Sequence, residues 1–288
     1  MSIFYTYLSL PDVYKLNWHQ ETLLTNLLST SFTNLIHSRE HLMSSTSFNV
    51  IRDELRDFLS NTEPSCFPRY GMVGAPVERI FNYLQETENK KLHIQSFCMS
   101  CPPCFLSKKN PTNNYIPTSF FQSLWITWSE MIDSANIPKV ANCQQWLDLA
   151  FKATETKFNQ DFVSHSSDCT TISCTFKLVL DYTPPMLTFD TDPNSIPLCI
   201  PNNFLHIPTI DNTTKIYKLS AIIYYGQYHF TARLFDLKNN VWIYDGQKNN
   251  GFPTFEQTMQ DCQDTDLDIF TTLENRNAHI YIYRIKND

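Results

Sequence analysis

The segment YKLSAIIYYGQYHFTARLFDLKNNVWIYDG, residues 217–246, contains the clearest structural pattern in the chain. It consists of three runs rich in β-branched and aromatic residues, which are separated by short turns at Gly226–Tyr228 and Lys238–Asn240. Runs of this kind, joined by tight turns, predict three consecutive antiparallel strands. Because the start of one antiparallel strand lies beside the end of the next, His229 and Asp245 can come together.

Strand-like sequences continue on both sides of this segment, whereas the N-terminal part of the chain shows a helical pattern. The further strand-like runs are CTFKLVLDY (174–182), PMLTFD (185–190) and AHIYIYRIK (278–286). Apolar residues recur at helical spacing in three groups, which are Leu23, Leu24, Leu27 and Leu28; Ile51, Leu55, Phe58 and Leu59; and Val77, Ile80, Phe81 and Leu84. One more helix is predicted around Cys143–Phe158.

This order of elements predicts an α+β protein, since a helical part precedes an antiparallel part. We expect a helical half at about 1–90, a mixed, cysteine-containing middle at 91–170 and an antiparallel half at 171–288. No linker rich in Pro, Gly or Ser divides these parts, so a single domain over 1–288 is expected.

The composition indicates a folded, acidic protein. Hydrophobic residues make up 42% of the chain and the formal net charge is −7, with Lys and Arg scattered along it. Scattered cations argue against a nucleic-acid surface. No stretch approaches the roughly 20 apolar residues that span a bilayer, and the N-terminus does not resemble a secretory signal. We therefore expect neither nucleic acid nor membrane as a partner, and a cytoplasmic or nuclear protein whose nine cysteines are thiols or metal ligands.

An acidic residue that orients a histidine is the arrangement that serves a cysteine nucleophile. In such a pair His229 would be the general base and Asp245 would hold its ring in place. The alternative is a strand histidine beside a turn aspartate without a catalytic role, and periodicity alone favours that alternative. The residues by themselves therefore leave the function of the pair open.

The same segment resembles the second signature of ubiquitin-specific proteases. The matching positions are Tyr217 and Leu219, the strand Ala221–Tyr225, the run His229–Phe230–Thr231–Ala232, the run Trp242–Asp245 and the closing strand Ala278–Arg284. The resemblance implies a papain-like cysteine peptidase fold, with His229 as general base and Asp245 as orienting acid. Gly246 stands where many members have a second acid, and the loop before His229 is short. The shortened form is most similar to the SUMO-specific isopeptidase branch.

The resemblance also implies a cysteine at the start of a long helix near the beginning of the domain, where the helix dipole lowers the thiol pKa. The segment that matches this first signature best begins at Trp18, so a tryptophan stands in the nucleophile position. No cysteine precedes Cys66, which lies in a Pro-bounded loop and is the one early alternative. We therefore expect a pseudoprotease that binds the tail of ubiquitin or a SUMO-like modifier. An active isopeptidase with an unplaced nucleophile is the alternative.

A cysteine cluster in the middle of the chain is a candidate zinc site. Cys98 and Cys101 have the spacing of half a zinc ribbon, and Cys169 and Cys174 could supply the other half. The resemblance agrees, because many ubiquitin-specific proteases carry a zinc ribbon between their two signatures. Two alternatives remain open: these residues are core thiols without metal, or the protein is a zinc-stabilised interaction module without modifier binding. The remaining candidates near the site are Cys104 and His165, and Cys143, Cys199 and Cys262 are expected to be isolated structural residues.

Overall fold

The computed structural model describes nine ranges of the chain: 47–70, 94–98, 142–151, 176–180, 186–191, 199–209, 213–249, 253–259 and 264–286. Its helices are α1 (Ser47–Thr62), α2 (Cys143–Phe151) and a 3₁₀ helix (Asp264–Phe270). Its strands are β1 (Ile94–Cys98), β2 (Phe176–Leu180), β3 (Met186–Asp190), β4 (Phe204–Pro208), β5 (Thr214–Gly226), β6 (His229–Phe235), β7 (Asn240–Tyr244), β8 (Thr254–Thr258), β9 (Thr272–Leu273) and β10 (Arg276–Ile285).

The strands form two antiparallel sheets. The larger sheet has eight strands, and its main path runs in the order β3-β10-β5-β6-β7-β8, with β4 pairing with β5 and β9 with β10. The smaller sheet is a ribbon of β1 and β2. The described residues are thus mostly antiparallel sheet with few helices. No described helix is long and apolar enough to cross a membrane.

Both faces of the central strands are buried, which explains the nearly continuous apolar sequence of β5. Ile222 and Tyr224 belong to the main core cluster. Ala221 and Ile223 point to the opposite face, yet they are only 0% and 7% exposed. The alternation is interrupted at Ser220, where the register of β5 against β10 shifts. This irregularity lets Leu219 and Ile222 share the core face although three positions separate them.

Buried tyrosine hydroxyls attach the surrounding segments to this sheet. Tyr224 donates to the carbonyl of Phe270 at the end of the 3₁₀ helix, over 2.7 Å. Tyr281 donates to the carbonyl of Cys199, and the hydroxyl of Tyr283 accepts the N–H of Asn202 over 3.1 Å. Burial raises the pKa of all three hydroxyls, so they stay protonated and keep these hydrogen bonds.

Helix α2 begins beside the same segment. The side chain of Asn142 accepts the N–H of Gln145 over 2.9 Å, which caps the helix. The N–H of Cys143 donates to the carbonyl of Ile200 over 3.1 Å, and the N–H of Gln144 donates to the side-chain oxygen of Asn202 over 2.8 Å. These bonds use helix N–H groups that have no partner within the helix, so they fix where α2 meets the sheet.

The structure confirms the predicted antiparallel half, with boundaries that differ by a few residues. It adds four strands that were not predicted, β1, β4, β8 and β9, because each is short and its sequence lacks a clear alternating pattern. The predicted helix at residues 51–59 is present within α1. The rest of the helical half, at 1–46 and 71–90, lies outside the described residues, as do residues 152–158 of the helix that starts at Cys143.

Candidate active site

The imidazole of His229 and the carboxylate of Asp245 form a hydrogen bond, with 2.8 Å between Nε2 and Oδ1. His229 is the first residue of β6, and Asp245 directly follows β7. These strands pair antiparallel, and the match of Ala232 with Tyr244 places Asp245 across from the second residue after His229. The contact predicted from the sequence is therefore present.

A two-residue turn holds His229 at the start of its strand. Gln227 and Tyr228 connect β5 to β6 with φ angles of 54° and 58°. Two consecutive positive φ values are typical of a type I′ turn, which normally contains Asn and Gly. Larger residues in this region cost about 1–2 kcal/mol each. The turn therefore keeps a strained conformation directly beside His229, and the side chain of Tyr228 is 97% exposed.

The environment of Asp245 keeps its carboxylate ionised. Burial by itself raises the pKa of Asp245, but the backbone N–H of Gln247 and the ring of His229 both hydrogen-bond to it, and Lys248 adds a positive charge. Together these interactions hold the pKa of Asp245 below its ordinary value. The N–H of Gln247 lies 3.0 Å from Oδ1, and Nζ of Lys248 lies 3.8 Å from Oδ2.

An ionised Asp245 fixes which nitrogen of His229 can act as a base. The carboxylate accepts a hydrogen bond from Nε2, so the neutral ring carries its proton there and Nδ1 has a free lone pair. Among the described residues, none forms a hydrogen bond with Nδ1. The side chain of His229 is 20% exposed, so this nitrogen belongs to a partly open site. The arrangement is suited to taking a proton from a nucleophile placed beside Nδ1.

Arg276 packs against the strand end next to His229. Gly226 pairs directly with His229, and a Cβ added at Gly226 would lie 3.1 Å from Cγ of Arg276. A side chain at position 226 would therefore fit tightly against Arg276, and glycine allows this close approach without displacing it. Glu274 accepts hydrogen bonds from Arg276 and Lys248, each over 2.6 Å. This exposed bridge connects the turn that contains Asp245 to the start of β10.

A buried arginine, Arg233, lies on the same face of β6 as His229 and Thr231. Arg233 donates to both carboxylate oxygens of Glu256, over 2.7 and 2.8 Å. It also donates to the hydroxyl of Tyr224 and to the carbonyl of Thr272. Burial lowers the pKa of Arg233, but the bonds to Glu256 and Tyr224 outweigh it and raise the pKa, so the side chain stays charged.

A β-bulge aims Glu256 at this arginine. Val241 pairs with Gln257 and Trp242 with Phe255, so Glu256 is an extra residue in β8 without a partner in β7. Its side chain reaches across β7 to Arg233, which links the edge strand to the strand of His229. The sequence analysis missed both residues. The one local signal was a charged residue in an otherwise apolar strand, which requires a charged partner.

The turn between β6 and β7 is organised by Asp236. Its carboxylate accepts the backbone N–H groups of Lys238 and Asn240, each over 2.8 Å. The indole N–H of Trp242 donates to the second oxygen over 3.1 Å. Trp242, one of the residues that carry the resemblance, therefore stabilises the hairpin that aligns His229 with Asp245.

Of the four cysteines in the candidate zinc site, the structure describes only Cys98. Trp18, Cys101, Cys169 and Cys174 lie outside the described residues. Cys98 is the last residue of β1 and pairs with Phe176 at the start of β2, two positions after Cys174. Within the described ranges, no group of three or more His, Cys, Asp or Glu residues could hold a metal ion.

Three other described thiols have settings unlike that of a reactive cysteine. Cys66 donates to the carboxylate of Glu63 over 3.1 Å, whereas a reactive thiolate needs positive neighbours. Cys143 and Cys199 are buried, with 3.6 Å between their sulfurs. Burial and the neighbouring Cys143 raise the pKa of Cys199. The prediction that these two are isolated is wrong, because the fold joins positions that lie 56 residues apart.

Comparisons with known proteins bear on the fold. No protein family model matches the sequence, and no curated protein is significantly similar to it. A solved SAGA DUB module of Ubp8, Sgf11, Sus1 and Sgf73 covers 99% of this chain with 13% identity and a TM-score of 0.52. The chain has a ubiquitin-specific-protease-like fold. The match covers 66% of the solved chain, so this chain spans less than two thirds of it.

Two related structures give lower scores. A yeast SAGA DUB module covers 99% of this chain and 66% of the solved chain, with 10% identity and a TM-score of 0.45. A SAGA DUB module bound to monoubiquitin covers 93% of this chain and 59% of the solved chain, with 11% identity and a TM-score of 0.48.

Proposed function

We propose that this chain is a ubiquitin-specific-protease-like domain that binds the C-terminal tail of ubiquitin or a SUMO-like modifier in the cytoplasm or nucleus, and that it does not cleave the tail. The observation that carries this proposal is the hydrogen bond between His229 and Asp245 in a fold of this type. The pair has the arrangement of a base and its orienting acid, and the ring nitrogen Nδ1 faces no described partner.

The residue in the nucleophile position supports binding without cleavage. The resemblance aligns Trp18 with the catalytic cysteine, and an indole has no lone pair suited to attack a carbonyl. Among the described thiols, Cys143 and Cys199 contact each other in the core, and none forms a hydrogen bond with His229. Without a thiolate there is no acyl-enzyme, and cleavage through a covalent intermediate cannot begin.

An active isopeptidase is the second candidate, and the intact pair of His229 and Asp245 favours it. In that case Nδ1 takes the thiol proton, the thiolate attacks the scissile carbonyl, and the protonated ring returns the proton to the leaving amine. The cysteine would have to come from the undescribed ranges or from Cys66 after a rearrangement. A zinc ion at Cys98, Cys101, Cys169 and Cys174 would be structural in either case.

Electrophilic ubiquitin and SUMO probes separate these candidates. Wild-type protein should remain unlabelled, while unmodified ubiquitin or SUMO should bind and His229→Ala should weaken that binding. Trp18→Cys should acquire labelling if the alignment of the first signature is correct. A matched control is Ser2→Cys, which adds a thiol near the N-terminus outside that signature and should stay unlabelled.

Two outcomes would contradict the proposal. Labelling of wild-type protein that disappears in Cys66→Ala would identify an active enzyme with Cys66 as nucleophile. Absence of binding to either modifier, together with full zinc occupancy and unchanged folding, would favour the zinc-stabilised interaction module instead.

A further inference from the structure

A group of basic side chains lies on the face of the sheet opposite the core, far from His229. Lys218 of β5 pairs directly with Arg284 of β10, so both side chains leave the same face. The residues that flank Lys218 and Arg284 along their strands belong to the core cluster, which places the two cations on the other face. Lys218 lies eight positions before Gly226 in the same strand, roughly 25 Å along it.

A third cation extends this group. Lys286 follows β10, and its backbone N–H donates to the carbonyl of Ile216 over 2.8 Å. Because side chains alternate along a strand, Lys286 projects on the same side as Arg284. Its ammonium lies 5.2 Å from the ring centroid of Phe204, the residue that pairs with Lys218 on the other side. Three cations therefore occupy two adjacent rows of the sheet, of which Arg284 is buried, Lys218 is half-buried and Lys286 is exposed.

This arrangement is electrostatically unfavourable within the chain itself. Like charges directly opposite each other on neighbouring strands destabilise a sheet. Burial lowers the pKa of Lys218, and the charges of Arg284 and Lys286 lower it further, while Asp236 opposes them. A negatively charged group beside Lys218 and Lys286 would oppose this lowering of the pKa of Lys218.

Among the described residues, neither Lys218 nor Lys286 forms an ion pair with a carboxylate. Lys218 donates to the side-chain oxygen of Asn239, and Lys286 contacts the Phe204 ring. The neighbouring acid Asp236 is already engaged by the N–H groups of its own turn and by an indole. The cations Arg233, Arg276 and Lys248 near the candidate active site each have a carboxylate partner among the described residues, which distinguishes them from Lys218 and Lys286.

Apolar groups accompany the cations on the same face. Phe204 and Ile216 are half-buried, and His206, which pairs with Ile216, is exposed. A surface that mixes ammonium groups with an aromatic and an aliphatic side chain matches a polypeptide with both acidic and apolar residues. A nucleic acid is a poorer fit, because neutralising its phosphate backbone requires a row of clustered cations, whereas this face has two lysines that are not buried.

We propose that this basic face, formed by Phe204, His206, Ile216, Lys218 and Lys286, binds an acidic, partly apolar peptide segment of a partner protein. The ammonium groups of the two lysines pair with carboxylates of the segment, and Phe204 and Ile216 contact its apolar side chains. The face lies at the other end of the sheet from His229, so this interaction does not depend on the proposed modifier binding.

Fluorescence anisotropy with a labelled synthetic peptide of alternating glutamate and leucine tests the proposal on the full chain. The peptide should bind, the same peptide with glutamine in place of glutamate should not, and added salt should weaken binding. Lys218→Gln and Lys286→Gln should each reduce the affinity by about fivefold, the loss of one ion pair. Arg56→Gln removes one exposed charge from α1 and should leave the affinity unchanged.

Thermal unfolding shows whether the variants fold, and Lys286→Gln keeps the test valid if the half-buried Lys218 does not tolerate substitution. Lys286→Arg should retain binding, since it keeps the charge. No binding of the glutamate peptide, or equal affinities of wild type and both lysine variants, would overturn the proposal. So would a single-stranded DNA oligonucleotide that binds more tightly than the peptide and loses affinity in the same variants.

Discussion

The carboxylate of Asp245 lies 2.8 Å from Nε2 of His229, although 16 positions separate the two residues. The hairpin of β6 and β7 brings them together, and the carboxylate is 5% exposed. Asp245 also receives the N–H of Gln247, so its charge is held within a largely buried, hydrogen-bonded site.

Asp245→Asn should flatten the dependence of stability on pH in acid. The folded state holds the pKa of Asp245 below its ordinary value of 3.8, so the ionised carboxylate stabilises the fold above that pH. This contribution is lost as the pH falls through the depressed pKa of the folded state. Urea unfolding of wild type at several pH values should show the loss, and the variant should not. Asp268→Asn, which removes an exposed carboxylate, controls for net charge; equal slopes in wild type and Asp245→Asn would contradict the prediction.

Thr231→Val should leave the free energy of unfolding unchanged or increase it by up to about 1 kcal/mol. The hydroxyl of Thr231 is buried and has no hydrogen-bond partner among the described residues, and valine has nearly the same shape. Thr191→Val is the matched control, because the hydroxyl of Thr191 donates to the carbonyl of Ala278 over 2.8 Å. Chemical denaturation should show a loss of about 1–2 kcal/mol for the control. Equal losses in both variants would show that Thr231 has an essential bond.

Tyr228→Gly should increase the free energy of unfolding by about 1 kcal/mol. Tyr228 has a φ of 58° and a fully exposed side chain, so glycine removes backbone strain without removing packing. Leu237→Gly is a suitable control, since Leu237 is also exposed in a turn but lacks a positive φ. It should not stabilise the fold. A destabilised Tyr228→Gly would instead indicate that the ring makes a contact that stabilises the fold.

Arg233→Met and Glu256→Gln should both destabilise the fold, and their effects should not add. Removing Arg233 leaves a half-buried carboxylate, and removing the charge of Glu256 leaves a buried guanidinium. Breaking a buried pair costs about 3 kcal/mol, less where one partner is partly exposed. A double-mutant cycle measured by urea unfolding should show a coupling of at least about 1 kcal/mol. Additive effects would mean that the two side chains do not interact in solution.

The candidate zinc ribbon is tested by elemental analysis of the purified protein. If Cys98, Cys101, Cys169 and Cys174 bind zinc, one equivalent should be present and Cys98→Ser should release it. Cys199→Ser is the control, because Cys199 lies in the core beside another thiol and should not affect zinc content. If the protein is free of metal and these four cysteines are readily alkylated in the native state, they are thiols that bind no zinc.

The local sequence pattern was sufficient to predict those parts of the fold that are formed by residues close together in the sequence. Alternating apolar runs and short turns predicted β5, β6 and β7, and the same hairpin predicted the contact of His229 with Asp245. These predictions succeeded because an antiparallel hairpin has few possible registers once its turns are known. The catalytic role of the pair and the identity of a nucleophile stay predictions from the resemblance.

The sequence by itself determined the antiparallel half and the position of His229 beside Asp245. Only the tertiary structure decided that Arg233 pairs with Glu256, that Cys143 meets Cys199 and that Lys218 faces Arg284. Each of these contacts joins strands or segments that are distant in sequence, and for the two contacts within the sheet the register depends on bulges that shift which side chain faces which neighbour. A period of two along one strand carries no information about that register, so these sites emerge only when the whole sheet is assembled.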